Sequence, residues 1–575
     1  MSPSARWKAP ALEDLPTWIL PNPFEPYAEG QYGADEWGPR PLTIFDLTMC
    51  ELSWTLRSKP DWQSKAADPE ILSKWRQEAL EQAAAQDPST EVPLTEKMID
   101  YVLAELDSFA FVADNERGIE RACFNAIWYS DRLISSDVLE RLETAVKTLE
   151  DIPEEKKDWH PGTNKQVLDL VHPSLYCVVY DRTHAYLPNK PRVAANFLPV
   201  RAPESNSEFT SKVFSWIPSD FTVDDEGVVR LVSPYINNLH PVLHQAMYPV
   251  IEEVLTAFIP LFERVLGDVN RENNRNAFPD NQRFETIECI WGPDGKPYPE
   301  EEPGSDEDED EFNEKFWAKV EKVLPEPREY NGDLELRFSP VFAPRKDHPV
   351  YRQVGQHPSH ARAARVCGRE LARRSLPCIG MANERIVASG IYYYDEENIT
   401  ESRLAFRVAV GEPEYHGQDD SECMKMLYDM NRDCDLLQEL GSVVTKAGRT
   451  LSWPNLFQHC VSPFKLADPS KPGHRKILAI FLVDPTKDRI VSTTDVPPQQ
   501  ADWAGVAFDE ACKEPSSKLG VLPQELRDLV KDNFPPTVMT LKEAEAYRLK
   551  LMKERTASVV EHAKEYVQTF NMCEH

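Results

Sequence analysis

AGRTLSWPNLFQHCVSPFKLADPSKPGHRKILAIFLVD, residues Ala447 to Asp484, is the stretch that decides the fold. A glycine turn at Gly448 leads into a short strand that ends at Trp453-Pro454. A loop then delivers Gln458 and His459 to the head of a second strand, Cys460–Phe464. After a polar excursion, Gly473, His474 and Arg475 open a third and very apolar strand, Lys476–Val483. Strands of this length, separated by turn residues, are the pattern of an antiparallel barrel.

Working outward, the same rhythm runs upstream. Arg385–Tyr394, Ser402–Val410, Gly441–Thr445 and Arg449–Trp453 are further β-type runs broken by turn-rich segments. Residues 166–235 mix short strands (Leu175–Tyr180, Gly227–Val232) with loops, and a long apolar helix is predicted from Pro249 to Leu266, with Pro260 kinking it. From Leu42 to Leu149 the spacing is helical: Ile99, Val102, Leu103, Leu106 and then Val138, Leu139, Leu142, Val146 recur every three to four residues. Residues 1–30, rich in proline and aromatics, read as an extended arm. Glu300–Glu311 (EEEPGSDEDEDE) reads as a solvated acidic insertion. Thr540 and Glu543 form a capping box ahead of a final helix, Ala544–Lys564.

Composition narrows the function. The 575 residues are 41% hydrophobic and 10% aromatic, enough to bury sizeable cores, and the net charge is −32. Nucleic acid and anionic membrane surfaces are held by clustered Lys and Arg, so neither is an expected partner. Met1–Pro21 has no basic region leading into an apolar one, and the longest apolar stretches, such as Ile477–Val483, are too short to span a bilayer. Eleven cysteines without a CxxC pair fit reduced thiols, which places the chain in cytoplasm or nucleus and argues against structural zinc. There is no GxGxxG, P-loop or GxSxG motif.

The arrangement in Ala447–Asp484 resembles the far side of the double-stranded β-helix of 2-oxoglutarate- and Fe(II)-dependent dioxygenases. The chain is also similar over almost its whole length to a large fungal family carried under a domain-of-unknown-function label. The matching stretches are LVHPSLY (Leu170–Tyr176), YINNLHPVLHQAMYPVIEEVL (Tyr235–Leu255), GIYYYDEENITESRLAFR (Gly390–Arg407) and PGHRKILAIFLVDP (Pro472–Pro485). The resemblance implies an α+β fold, a jelly-roll barrel with helical N-terminal and C-terminal regions. It implies His459 as an iron ligand and Arg475 as the partner of the co-substrate carboxylate. The chemistry is consistent, because Fe(II) in such enzymes sits on two histidines and one carboxylate, and a planar guanidinium suits a carboxylate. A buried structural His459 beside a surface Arg475 is the plain alternative.

The division that follows is 1–165 arm and helical region, 166–299 mixed region packing on the barrel, 300–314 acidic loop, 315–500 barrel, and 501–575 C-terminal helical region. Tyr392, Tyr394 and Asn455 are candidate pocket residues. The substrate is expected to be a small organic molecule or a peptide.

The sequence departs from the family at the other half of the site. Members carry Trp-His-Val-Glu-Gly ahead of a Met-x-Asn-Glu segment, which supplies the remaining histidine and carboxylate. Here the residues before Met381-Ala382-Asn383-Glu384 are Leu376-Pro377-Cys378-Ile379-Gly380. Arg352–Arg374 holds six arginines and a single acid, Glu370, with no apolar period, although a central strand is due there. Read one base later, with synonymous third bases chosen freely, Tyr351–Arg374 gives IVKLANIHLTPEQPEYAGGSWHVE, nearly the family's own motif. Residues 349–379 are therefore read as frame-shifted, with no oxygenase activity expected of the chain as it stands. A non-catalytic binding or scaffold protein of the same fold is the alternative. His240 and His244, with Glu252 and Glu253 downstream, read as packing residues, and His172 as a capping or packing one.

Overall fold

The computed structural model describes residues 41–86, 94–270, 325–332, 351–362, 380–411, 421–532 and 537–566, with a few isolated positions outside these spans and short gaps within them. The arm, the acidic loop and residues 363–379 lie outside the described residues, apart from Leu20 and Phe24 of the arm and two positions near the loop.

In the N-terminal region, Thr43 accepts a hydrogen bond from Asp46 N and starts helix Ile44–Arg57. Thr95 and Ser135 cap Glu96–Val112 and Ser136–Glu150 in the same way. Ile99, Val102 and Leu106, expected on one helix face, are fully buried. Two very short strands between these helices, β1 (Glu120–Arg121) and β2 (Trp128–Ser130), carry this region into the main sheet.

That sheet has nine strands, all antiparallel where paired. Its order is β1, β2, β14 (Thr450–Pro454), β11 (Ile386–Glu397), β16 (His474–Val483), β10 (Tyr351–Arg362), β8 (Ser219–Val223) and β9 (Val229–Leu231), with β3 (Val167–Asp169) also on β10. A second sheet pairs β13 (Leu437–Thr445), β12 (Ser402–Ala409) and β15 (Gln458–Val461). Two small ladders join β4 (Val178–Val179) to β7 (Phe214–Ser215) and β5 (His184–Tyr186) to β6 (Phe197–Pro199). The fold is thus a mixture of helices and antiparallel sheets, without a closed barrel among the described residues. The strands expected from Arg385 to Val483 all form, with ends displaced by a few residues.

Register assigns the faces, since residues opposite one another in an antiparallel pair share a side. On β16, Leu478, Ile480 and Leu482 enter the large core with helix Met247–Val269. Gly390 on β11 permits that contact: a Cβ there would lie 2.7 Å from the Phe258 ring. The helix continues through Pro260 to Val269. The other face of β16 and β11 meets the second sheet, where Phe406 of β12 lies 5.5 Å from Trp453 of β14, ring to ring. Helices Ala501–Lys513, Gln524–Asp532 and Leu541–Tyr566 complete the C-terminal region. Thr540 caps the last of them through Glu543 N, but the Glu543 carboxylate binds Arg182 instead of closing the box. No described helix is long and apolar enough to cross a membrane.

Burial raises the Glu263 carboxyl on the long helix from its ordinary 4.5 to about 7. Its folded form holds the proton more tightly than the unfolded chain does. Stability therefore falls as pH rises from 4.5 towards 7. Glu263→Gln is expected to gain about 3 kcal/mol at pH 8 and nothing at pH 4, read from urea denaturation midpoints.

Candidate functional site

β12 alternates Ser402, Leu404, Phe406 and Val408 inward, and β15 pairs with it so that His459 stands opposite Phe406. His459 therefore faces the space between the two sheets, its ring 4.9 Å from that of Trp453. Burial pushes its pKa down to about 4, partly offset by a hydrogen bond with the Phe457 backbone. The ring is neutral at physiological pH, and its buried Nδ1 has no hydrogen-bond partner.

Arg475 faces the same inter-sheet side at the head of β16, 4% exposed. Its Nη1 donates to Ser402 Oγ at 2.7 Å, and Nε and Nη2 donate to Glu396 at 3.3 and 3.2 Å. The Phe464 and Tyr393 rings cover it at 4.4 and 5.6 Å. Ser402 and Phe406 are four positions apart on β12, so His459 and Arg475 stand roughly 13 Å apart along that strand. Both face one inter-sheet space, from opposite sheets.

Tyr392 and Tyr394 lie on the opposite face of β11. Their rings are 6.2 Å apart, and Tyr394 packs with Leu142, Val146, Leu149, Ile251 and Leu478 around a small apolar cavity on the helix side. Tyr393 is the tyrosine that turns inward. Asn455 is 1% exposed and holds the β14 turn onto β11, donating from Nδ2 to the Ile386 carbonyl at 3.0 Å. His240 accepts from Val242 N and Leu243 N, His244 meets Thr148, Glu252 binds Leu231 N and Glu253 binds Arg141, so these four share no site.

The inter-sheet face also carries residues that the sequence did not single out. Ser389 and Tyr393 of β11 and Trp453 of β14 alternate onto the side of Phe481, Ala479 and Ile477. Ser389 Oγ, Tyr393 OH and Trp453 Nε1 are buried without a hydrogen-bond partner. Such groups are costly to leave dry, and with His459 Nδ1 they line one inter-sheet space that calls for polar contact. Three of the four are donors, which favours an acceptor-rich guest. Their signal in the sequence was only the alternation of each strand.

Ferrous iron needs three protein ligands, and His459 is the one of the expected three that the described residues supply. The positions that encode the other two in the second reading frame lie at 372–375, outside the described residues. Arg475 is already paired by Glu396. The residues of the chain as it stands do not fit the ion by themselves.

The profile of a family described as "Protein of unknown function (DUF4246)" matches residues 96–507, and that of "Domain of unknown function DUF4246, N-terminal" matches 11–78. No curated protein matches the chain. A crystal structure of a bsmA homolog from Methylobium petroleophilum PM1 is 11% identical, with a TM-score of 0.15, over 28% of this chain and 57% of that one. The chain thus spans little more than half of that protein, and so slight a likeness carries no argument.

Proposed function

The chain belongs to the family described as "Protein of unknown function (DUF4246)". From that premise we propose that it has the jelly-roll scaffold of an Fe(II)- and 2-oxoglutarate-dependent oxygenase, inactive in its present sequence. The observation that carries this reading is the buried, neutral His459 with a free Nδ1 among inward-facing donors. Two facing antiparallel sheets support it as well.

The frame-shift reading gains support from β10. This strand pairs with β16 along most of its length, with β8 over 351–354 and with β3 over 359–361, and Pro358 stands in its ladder with β16 opposite Leu478. A proline cannot donate to a ladder and belongs on edge strands or at bulges. Gly355, His357 and Ser359 hold register with Phe481, Ala479 and Ile477. Read one base later, those three positions become Ala, Ile and Leu, and the proline moves to position 361.

The test compares the full chain with one whose residues 351–374 are replaced by the second-frame reading. Iron-dependent formation of succinate from 2-oxoglutarate is expected of the second alone, and His459→Ala in it is expected to abolish the reaction. A restored chain that binds no iron overturns the proposal. A transcript that encodes Arg352–Arg374 as given overturns the frame shift. The second reading, a non-catalytic protein that binds a small organic molecule or peptide, is favoured by the closure of Arg475 on Glu396 and Ser402.

A further inference from the structure

A second cluster lies on β3 and the loop before it, apart from the inter-sheet space. His160 and Asp169 stand on the two arms of a hairpin: His160 N donates to the Val167 carbonyl at 2.9 Å, and Asp169 N to that of Asp158 at 2.9 Å. Gly162, Asn164 and Lys165 take positive φ in the turn between them. His160 Nδ1 meets Asp169 Oδ2 at 2.8 Å, and His172, three residues on, brings its ring centroid within 5.2 Å of that of His160. One ligand atom from each of the three residues lies within 4.8 Å of the others.

We propose that His160, Asp169 and His172 form a binding site for a divalent transition-metal ion, separate from the iron site suggested by His459. Two imidazoles and a carboxylate suit zinc, cobalt or ferrous iron, and three ligands leave positions open for water or a substrate. Ligands around such an ion stand roughly 3.4 Å apart, given metal–nitrogen bonds of ~2.0–2.1 Å, so about an ångström of side-chain movement closes the site. The ion takes the place of the proton between His160 and Asp169, whose imidazole then carries its hydrogen on Nε2.

Local charge agrees. Arg548 of the last helix, 4% exposed, pairs with Asp158 and lies 3.9 Å from Asp169. Two carboxylates face one guanidinium, which leaves one negative charge for a cation. Asp169 is buried while His160 is partly exposed, so the site has a floor and an open side.

The site stands whether or not the oxygenase reading does. The experiment titrates the metal-free full chain with Co2+, following its visible absorption, and counts bound ion by equilibrium dialysis. One equivalent is expected. His160→Ala and His172→Ala should each weaken binding by about a hundredfold or more, while His244→Ala leaves it unchanged. Circular dichroism of each metal-free variant confirms folding, and the exposed position of His160 makes that variant the safer one. A chain that takes up no Co2+, or one that keeps its affinity in both histidine variants, overturns the proposal.

Discussion

Asp268→Ala is expected to lose about 3–5 kcal/mol of stability, enough to unfold much of the chain at growth temperature. Asp268 is fully buried near the end of the long helix and receives Arg121 Nη2 at 3.1 Å, Trp128 Nε1 at 2.8 Å and Ala126 N at 3.2 Å. Arg121 is itself 3% exposed and stacks against Trp128 at 4.9 Å. Removing the carboxylate strands a cation and two further donors in the core, each of which must lose its hydration without return. Asp268→Asn keeps an acceptor and should fall between the two. Denaturation midpoints in urea rank the three proteins, and an alanine variant within 1 kcal/mol of the parent would show that water reaches the pair.

Arg489→Met should be nearly as damaging, but only above acid pH. Arg489 Nη1 donates to Asp220 at 2.9 Å and to Asp495 at 2.8 Å, and Nη2 to Asp495 at 2.7 Å, with Ser492 bridging. Both carboxylates are nearly inaccessible. Burial already raises the Asp495 carboxyl above its usual range, and Arg489 is the largest influence pulling it down. Without the guanidinium, two like charges face each other in the dry interior and the folded pKa of Asp495 rises further. A raised folded value means that the folded state binds protons more tightly, so stability falls as pH rises. The loss should reach about 3–5 kcal/mol at pH 7.5 and shrink as pH falls from there towards about 4. Melting temperatures across pH 4–8 test the slope; a gap that stays constant would place the damage in packing instead.

Much of the architecture was legible because its strands carry a period of two and its helices one near four. Arg385–Val483 shows the alternation, and the strands form there. The tyrosine run shows where that signal stops. Alternation says that Tyr392 and Tyr394 share a face, but β11 is covered by a helix on one side and a sheet on the other, and both coverings want apolar rings. Only the register of the neighbouring strands reveals that Tyr393 is the one turned toward the second sheet. β1 and β2 escaped because two or three residues hold no period. His172 was weighed alone and read as a packing residue; its local bonds, such as that from Ser174 N, agree with that. What was missed is the hairpin that folds His160 back beside it, a juxtaposition with no regular spacing to announce it.

The pairing of β2 with β14 joins Ser130 to Thr450 across 320 residues, and Thr450 Oγ1 donates to the Ser130 carbonyl at 3.0 Å. At ~5–20 residues per second a ribosome needs on the order of 16–60 seconds to make that span. Throughout that time the N-terminal helices are complete while β2 is paired with β1 on one edge only. Its edge, Trp128-Tyr129-Ser130, is open to any other extended chain nearby. Synthesis of this protein thus has a built-in waiting period, and chaperone demand should peak before residue 450 leaves the exit tunnel.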